Sequence, residues 1–393
     1  MEEYKGVLQP YAEEAFRVYQ HFHQNPELSF EEVKTAEYLL EQLTTYGVEF
    51  QGGYSGTSIA CYVNGEQDGP TIAFRADIDA LPIQEETGLP YTSKVPGVMH
   101  ACGHDVHAAT LLMLAKYFSE HRDQIRGRIK FLFQQGEELL PGGAKGFCEE
   151  GVLDDVDEIY AWHVSALYPI GEVGLVKGAA TAAVGAYRLR IVGKGGHGGF
   201  PHLSNNPIFC GSAVASAIGQ LGTTRVPHDQ SCAVTVGYFL SGTDQIPNVI
   251  PGEAVLGGNL RSLNNETQKM LYDQVRRICH STCEAYGCDA DLAIEEGYPA
   301  TLNAEHPYGV ISRSLDEMGL KNLHGQPQMG AEDFAYYTLE KPAGYVTVGM
   351  KGTPEGEAPT PHHNSHFCID AEHGIPTALE MMIRVYQNAV SEA

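Results

Sequence analysis

Five short runs of the sequence carry side chains that could do chemistry. RADIDALP at 75–82 holds Asp77 and Asp79, and MHACGHDVH at 99–107 holds Cys102, His104 and His107. QQGEE at 134–138 supplies Glu137 and Glu138, WHV at 162–164 supplies His163, and PHHNSHF at 361–367 supplies His362, His363 and His366. Thiol, imidazole and carboxylate groups together are what a divalent-metal site needs. Such a site lowers the pKa of a bound water and polarises a carbonyl. Each residue also has a plainer reading. Taken singly, His163 is a structural histidine, Cys102 a small buried hydrophobe and the Glu137–Glu138 pair a solvated turn, while Asp77 and Asp79 cap the loop after their strand. It is the joint occurrence that favours a metal, and spacing alone does not say which histidine binds it.

The elements around these runs decide whether they can meet. Apolar stretches bounded by Gly, Pro or Asp predict strands at 58–63 and 71–78, and further strands at 128–133 and 158–162. An apolar helix is expected over 108–118, with a Gly-rich loop and short helix after 133. Strands alternating with helices imply a parallel sheet with right-handed crossovers. Ligands in such sheets bind beyond the carboxyl ends of the strands, so the first four runs converge in one crevice and the fifth closes it. Upstream, Ser29 and Glu32 read as a capping box, with Leu28 and Val33 as a hydrophobic staple. The helix they would start carries Val33, Ala36, Leu39, Leu40 and Leu43 on one face and stops at Gly47. The middle of the chain changes character: strand 186–192, helix 207–221, strands 233–239 and 254–263, helix 266–286, strand 289–294. This βαββαβ order is a compact unit of its own. The expected fold is α/β: a central, mostly parallel sheet forms a catalytic domain in two parts, 1–183 and 296–393, ending in a helix over 376–390. An α+β domain at 184–295 is inserted between them, with hinges near 180–185 and Gly297.

These runs, with KGGHGGFPH at 194–202, GAEDF at 330–334 and HNSHF at 363–367, resemble the aminoacylase/carboxypeptidase metallopeptidase family over nearly the whole chain. The likeness is strongest to its amidohydrolase branch, which hydrolyses N-acyl, benzoyl and indole-acetyl amino acids. The resemblance implies two divalent cations per chain, Mn²⁺ or Zn²⁺, with Cys102 as a bridging ligand and His104, Glu138, His163 and His363 completing the shell. Glu137 would be the general base and Asp79 the carboxylate that orients a ligand; the role of Asp77 stays open. His197 would stabilise the oxyanion, and Asn248 with Arg261 would hold the substrate carboxylate, although His197 and Arg261 could also be surface groups. The inserted domain would be both lid and dimer contact, its strand edge near Val234, Val236 and Tyr238 pairing with a second chain. The alternative within the family is a di- or aminopeptidase, or an N-acetyl-diaminopimelate deacetylase.

Composition narrows the rest. The 393 residues carry 25 Lys and Arg against 50 Asp and Glu, a formal charge of −25, which repels nucleic acid and anionic membrane surfaces. With 43% apolar residues there is material for two cores. The N-terminus is charged from its second residue, no apolar stretch is long enough to span a membrane, and nine cysteines lack framework spacing. A cytoplasmic protein acting on small molecules is expected. Two other classes remain: a thiol hydrolase with Cys102 as nucleophile and His104 or His163 as base, and a silent binding protein, which would not need the Glu137–Glu138 pair.

Overall fold

The apolar runs bounded by Gly, Pro and Asp do become strands. The structure, a computed structural model, describes residues 2–52, 54, 56–353 and 357–391. The chain divides into two units, one made of 1–180, 301–326 and 333–393, the other of 181–300 and 327–332.

The first unit holds an eight-stranded sheet in the order Glu49–Gln51, Ile59–Asn64, Arg126–Gln134, Gln67–Asp77, Glu158–Ser165, Ala343–Gly349, Glu172–Gly174, Lys321–Asn322. Its four central strands, Arg126–Gln134 to Ala343–Gly349, run parallel. Antiparallel neighbours flank them on each side. Both faces of these central strands are covered, so they read as nearly continuous apolar runs. Phe74, Phe131 and Phe133 point into a core shared with Phe22, Leu39, Leu112 and Tyr386 of the helices. The residues between them, Ala73 and Leu132, face a second core with Phe147, Ile159 and Phe334. Strand alternation thus divides one sheet between two cores.

Several expected boundaries move. The helix foreseen from 108 begins four residues earlier, as His104–Glu120 with Gly103 as its N-cap. The C-terminal helix runs Ala371–Ser391 with Pro376 inside it, and a helix over Glu2–Gln24 has no counterpart in the sequence reading. The capping box at Ser29 and Glu32 does not form. Helix Val33–Thr45 has no side-chain bond from its cap residue Glu32. Its first amides, Lys34 and Thr35, donate instead to the Glu27 carboxylate at 3.2 and 2.8 Å. Val33 is 54% exposed, so it staples nothing. The helix does end where expected, with Gly47 at φ +66° following its last residues.

The main sheet of the second unit is antiparallel throughout. Its strands lie in the order Cys232–Val234, Glu253–Ser262, Ala183–Val192, Asp289–Glu296, and Tyr238–Ser241 also pairs with Glu253–Ser262. Helices Pro207–Gly219 and Asn265–Ala285 bury Cys210, Val214, Leu271 and Val275 against Leu189, Ile191 and Leu256 of that sheet. The single strand expected over 233–239 is therefore two, broken at Thr235–Gly237. Tyr187 Oη donates to the Thr235 carbonyl at 2.9 Å and draws it out of the ladder. That carbonyl would lie 1.9 Å from a Cβ at Gly258, so only glycine fits opposite the break.

Among the described residues no helix is long and apolar enough to cross a membrane.

Candidate metal centre

Strands Gln67–Asp77 and Arg126–Gln134 stop side by side, with Asp77 opposite Gln134. The loops that follow carry Asp79, Glu137 and Glu138, and His163 lies near the end of Glu158–Ser165. Cys102 and His104 flank the start of helix His104–Glu120. The glycine between them takes φ +91°, and a Cβ there would lie 2.4 Å from Val164 Cγ1. A side chain at Gly103 would push the Cys102–His104 loop away from the strand that carries His163.

Two donor groups share one atom. Cys102 Sγ lies with the ring nitrogens of His104 and His163, and also with a Glu138 oxygen and a His363 nitrogen; within each group the atoms are within 4.8 Å of one another. Cys102 Sγ is 3.5 Å from His163 Nε2, and His363 Nε2 is 3.1 Å from Glu138 Oε1. His363 reaches this position with a left-handed backbone, φ +60°, its amide donating to the Ala101 carbonyl at 2.9 Å. Two sets of donors meeting at one sulfur are the arrangement a thiolate-bridged pair of cations needs.

The groups behind the donors aim them. Asp79 Oδ1 lies 3.0 Å from His104 Nδ1, and Asp79 Oδ2 accepts from the Glu138 amide at 2.9 Å. With Nδ1 committed, His104 presents Nε2, which is buried and has no hydrogen-bond partner. His163 Nδ1 is likewise committed to the Val164 carbonyl at 2.7 Å, leaving Nε2 toward the sulfur. Holding one imidazole nitrogen so that the other can bind metal is the usual way such ligands are oriented. A buried imidazole nitrogen without a hydrogen-bond partner, among thiol and carboxylate donors, fits a cation.

Charge agrees. Burial, and then the carboxylate of Glu138, push the Cys102 thiol well above its usual range. Without a cation the sulfur is a protonated, weak nucleophile; on a cation it is deprotonated outright. This disfavours the thiol-hydrolase reading.

Asp77, whose role the sequence left open, has a definite place. It accepts from Arg75 Nη1 at 2.7 Å and from His107 Nδ1 at 2.6 Å. His107 Nε2 in turn accepts the Val164 amide at 2.9 Å. Both His107 nitrogens are used, and burial lowers its pKa to about 4, so it is neutral and unavailable to a cation. Burial alone would raise the Asp77 pKa, but His104, Arg75 and His107 hold it well below the carboxylate range. It stands 3.7 Å behind His104 Nε2 as a fixed negative charge.

Glu137 is buried, close to His104 and Glu138, and its Oε1 lies 3.4 Å from the Asp333 amide. A network that the sequence reading assigned no role lies behind it. Arg75 donates to Gln134 Oε1 at 2.8 Å and to Asp333 Oδ1 at 2.6 Å. Gln134 Nε2 and the Ala144 amide donate to Asp333 Oδ2 at 2.7 and 3.0 Å. The available signal was alternation: Arg75 and Asp77 share a face of their strand, and Gln134 ends the next one.

In the second unit His197 and Asn248 come together. His197 pairs with Val249 across a two-residue ribbon, and the Gly198 amide donates to the Asn248 carbonyl at 2.7 Å. Gly199 N donates to His197 Nδ1 at 2.9 Å, so the neutral ring carries its proton on Nε2, as an oxyanion donor must. Both side chains are exposed. Arg261, on strand Glu253–Ser262, is half-buried and donates from Nη1 to the Met329 carbonyl.

Comparison with known proteins agrees with this chemistry. The profile of peptidase family M20/M25/M40 matches residues 73–391. Thermostable carboxypeptidase 1 of Saccharolobus solfataricus is 36% identical over 353 residues, 89% of each chain. The N-acyl-L-amino acid amidohydrolase of Geobacillus stearothermophilus is 38% identical over 302 residues, 77% of this chain and 81% of that one. The crystal structure of Bacillus subtilis YXEP, described as a dinuclear metal binding peptidase, superposes with a TM-score of 0.84 at 29% identity, covering 98% of this chain and all of the other.

Proposed function

The chain belongs to peptidase family M20/M25/M40, and from that premise we propose that this metal-dependent hydrolase of amide C–N bonds removes the acyl group from small N-acylated L-amino acids. The observation that carries the reading is the Cys102 sulfur shared by two donor sets, beside a buried carboxylate, Glu137, that belongs to neither of them. Cys102, His104, Glu138, His163 and His363 would hold two divalent cations, Mn²⁺ or Zn²⁺, which supply an acidified water and a polarised acyl carbonyl. The chain's own groups do the rest. Glu137 takes the water proton on its carboxylate and passes it to the leaving amine. Asp79 keeps His104 turned inward. In this reading His197 Nε2–H would donate to the oxyanion, and Asn248 and Arg261 would bind the substrate carboxylate, the latter by a charge-assisted fork.

We further propose that the second unit is the lid and dimer contact of a cytoplasmic homodimer. Support comes from large apolar side chains exposed on it, Leu203 at 61%, Phe209 at 67% and Leu240 at 64%, and from nine cysteines that form no disulfide. Likeness to a carboxypeptidase favours a second substrate class, short peptides. A panel of N-acetyl, benzoyl and indole-acetyl amino acids with matched dipeptides, assayed for released amine, separates the two. Activity should fall on chelation and return with Mn²⁺ or Zn²⁺. Cleavage of dipeptides alone, or activity indifferent to chelation, sinks the proposal.

A further inference from the structure

The run PELSFEE at 26–32 passes close behind the catalytic loops, and its polar groups do something other than cap a helix. Glu32 is completely buried. Its Oε1 accepts two amides, Phe30 at 2.9 Å and Gly136 at 2.8 Å, and its Oε2 accepts the Thr57 hydroxyl at 2.8 Å. Gly136 immediately precedes Glu137. The same stretch grips the neighbouring loop: Ser29 Oγ donates to Asp79 Oδ2 at 2.7 Å, and the Ala80 amide donates to the Glu27 carbonyl at 2.8 Å.

Between these holds sits Phe30, with a left-handed backbone at φ +66°. A non-glycine residue keeps that conformation only where its surroundings impose it. Its ring lies over Gly136, itself at φ +63°, where a Cβ would fall 2.6 Å from the ring carbons. The turn before Glu137 is therefore fixed from two sides, by a carboxylate on its amide and a ring on its Cα.

We infer that Glu32 is a positioning residue for the general base: bonded to the Gly136 amide, and with Ser29 on Asp79, it sets Glu137 and Glu138 in register with His104. This rests on the role given to Glu137 above. Glu32 touches neither substrate nor cation, and it acts only through the backbone of 135–138. Its negative charge is dispensable. A glutamine keeps the oxygen that accepts both amides and turns its NH₂ to the Thr57 hydroxyl, which can accept it and still donate to Gln135 Oε1, 2.9 Å away.

The test compares Glu32→Ala with Glu32→Gln in the full chain. Amide hydrogen exchange over 135–138 should quicken about tenfold in Glu32→Ala, the loss of one buried hydrogen bond, and stay near wild type in Glu32→Gln. A segment across the sheet, 344–349, serves as control. Calorimetric titration with Mn²⁺ should show weaker binding in Glu32→Ala and near-normal binding in Glu32→Gln. On whichever substrate the panel identifies, kcat at saturating Mn²⁺ should fall by about 10²-fold with KM little changed, since about an ångström of misplacement has that effect. Unchanged exchange over 135–138 in Glu32→Ala overturns the inference, as does a Glu32→Gln variant as impaired as Glu32→Ala. If Glu32→Ala does not fold, Thr57→Val, which frees one carboxylate oxygen, should quicken the same exchange severalfold, and no change there overturns it equally. A fully active Glu137→Gln variant would refute the general-base role and leave the exchange result standing.

Discussion

The residues over the carboxyl ends of the first unit's sheet and two of those proposed to touch substrate in the second unit, His197 and Asn248, are held in opposite ways. His104, Asp79, Asp77 and Glu137 are buried; His104 is bonded to the Asp79 carboxylate, Asp77 to Arg75 and His107, and Glu137 lies against the Asp333 amide. His197 and Asn248 are exposed and fixed mainly by the backbone of a two-residue ribbon. The first arrangement is pre-organised: donor atoms point at a common centre before anything binds. The second sets a tautomer and an orientation and leaves the partner to be met. In the proposed reading, chemistry that requires a fixed cation geometry is assigned to the rigid element and substrate recognition to the open one.

Four experiments break or sharpen this contrast. The largest effect is expected from Glu137→Gln, which removes the proton acceptor and leaves all five donors. Turnover should drop by ~10²–10⁴-fold with metal content unchanged by elemental analysis; near-normal turnover would remove Glu137 from the role of base. Next, Cys102→Ser should lower both metal occupancy and rate, because a serine hydroxyl is not ionised at neutral pH and would not bridge. Full occupancy with lost activity would revive the thiol nucleophile.

On the exposed side, His197→Ala should lower kcat by about 10²-fold with metal content intact. If His197 serves the partner's site, mixing this variant with Glu137→Gln after partial dissociation should restore activity, because one site of each mixed dimer then has both groups. No recovery despite proven subunit exchange would confine His197 to its own chain or remove it from catalysis.

The smallest effect concerns stability and should be confined to the buried side. His23 lies 2.6 Å from Asp105 and 3.2 Å from Glu85. Burial opposes its protonation, but these two carboxylates outweigh burial and raise its pKa to about 9. A group raised in the folded state stabilises it fully below the unfolded pKa of ~6.5, and that contribution is lost as pH climbs through 9. At most about 3 kcal/mol is involved. The midpoint of thermal unfolding should fall as pH rises between those values in the wild type, and that slope should flatten in His23→Gln. An equal slope in that variant would remove His23 as the source.

Much of this was legible in the sequence. Apolar runs with turn residues at their ends predicted the parallel strands, and strand ends predicted where Asp77, Glu137 and His163 would gather. Short-range pattern failed where a long-range bond took over. Ser29 and Glu32 have the spacing of a capping box, yet Asp79 and Gly136 claim both side chains. The helix at His104 begins earlier than its apolar residues suggest because its first turn faces the buried centre with polar groups. Thr235 breaks a strand whose alternation looked complete, because Tyr187, 48 positions away, takes its carbonyl. In each case the residue type was visible and the partner was not.

The second unit begins and ends at one place in its own sheet. Its opening and closing strands, Ala183–Val192 and Asp289–Glu296, are sheet neighbours, with Gly185 opposite Glu296. Within the opening strand, the Val184 amide donates to the carbonyl of Tyr298, just past the closing one, at 2.9 Å. The 120-odd residues therefore leave and return through one doorway, so the unit is a cassette that a gene could gain or lose with only a short splice in the host chain. One thread resists a clean excision. Stretch 327–332 belongs to this unit too, with the Ala182 amide bonded to Gly330 and Thr181 bridged to Gln328. A host stripped of its cassette would have to find a new resting place for those residues.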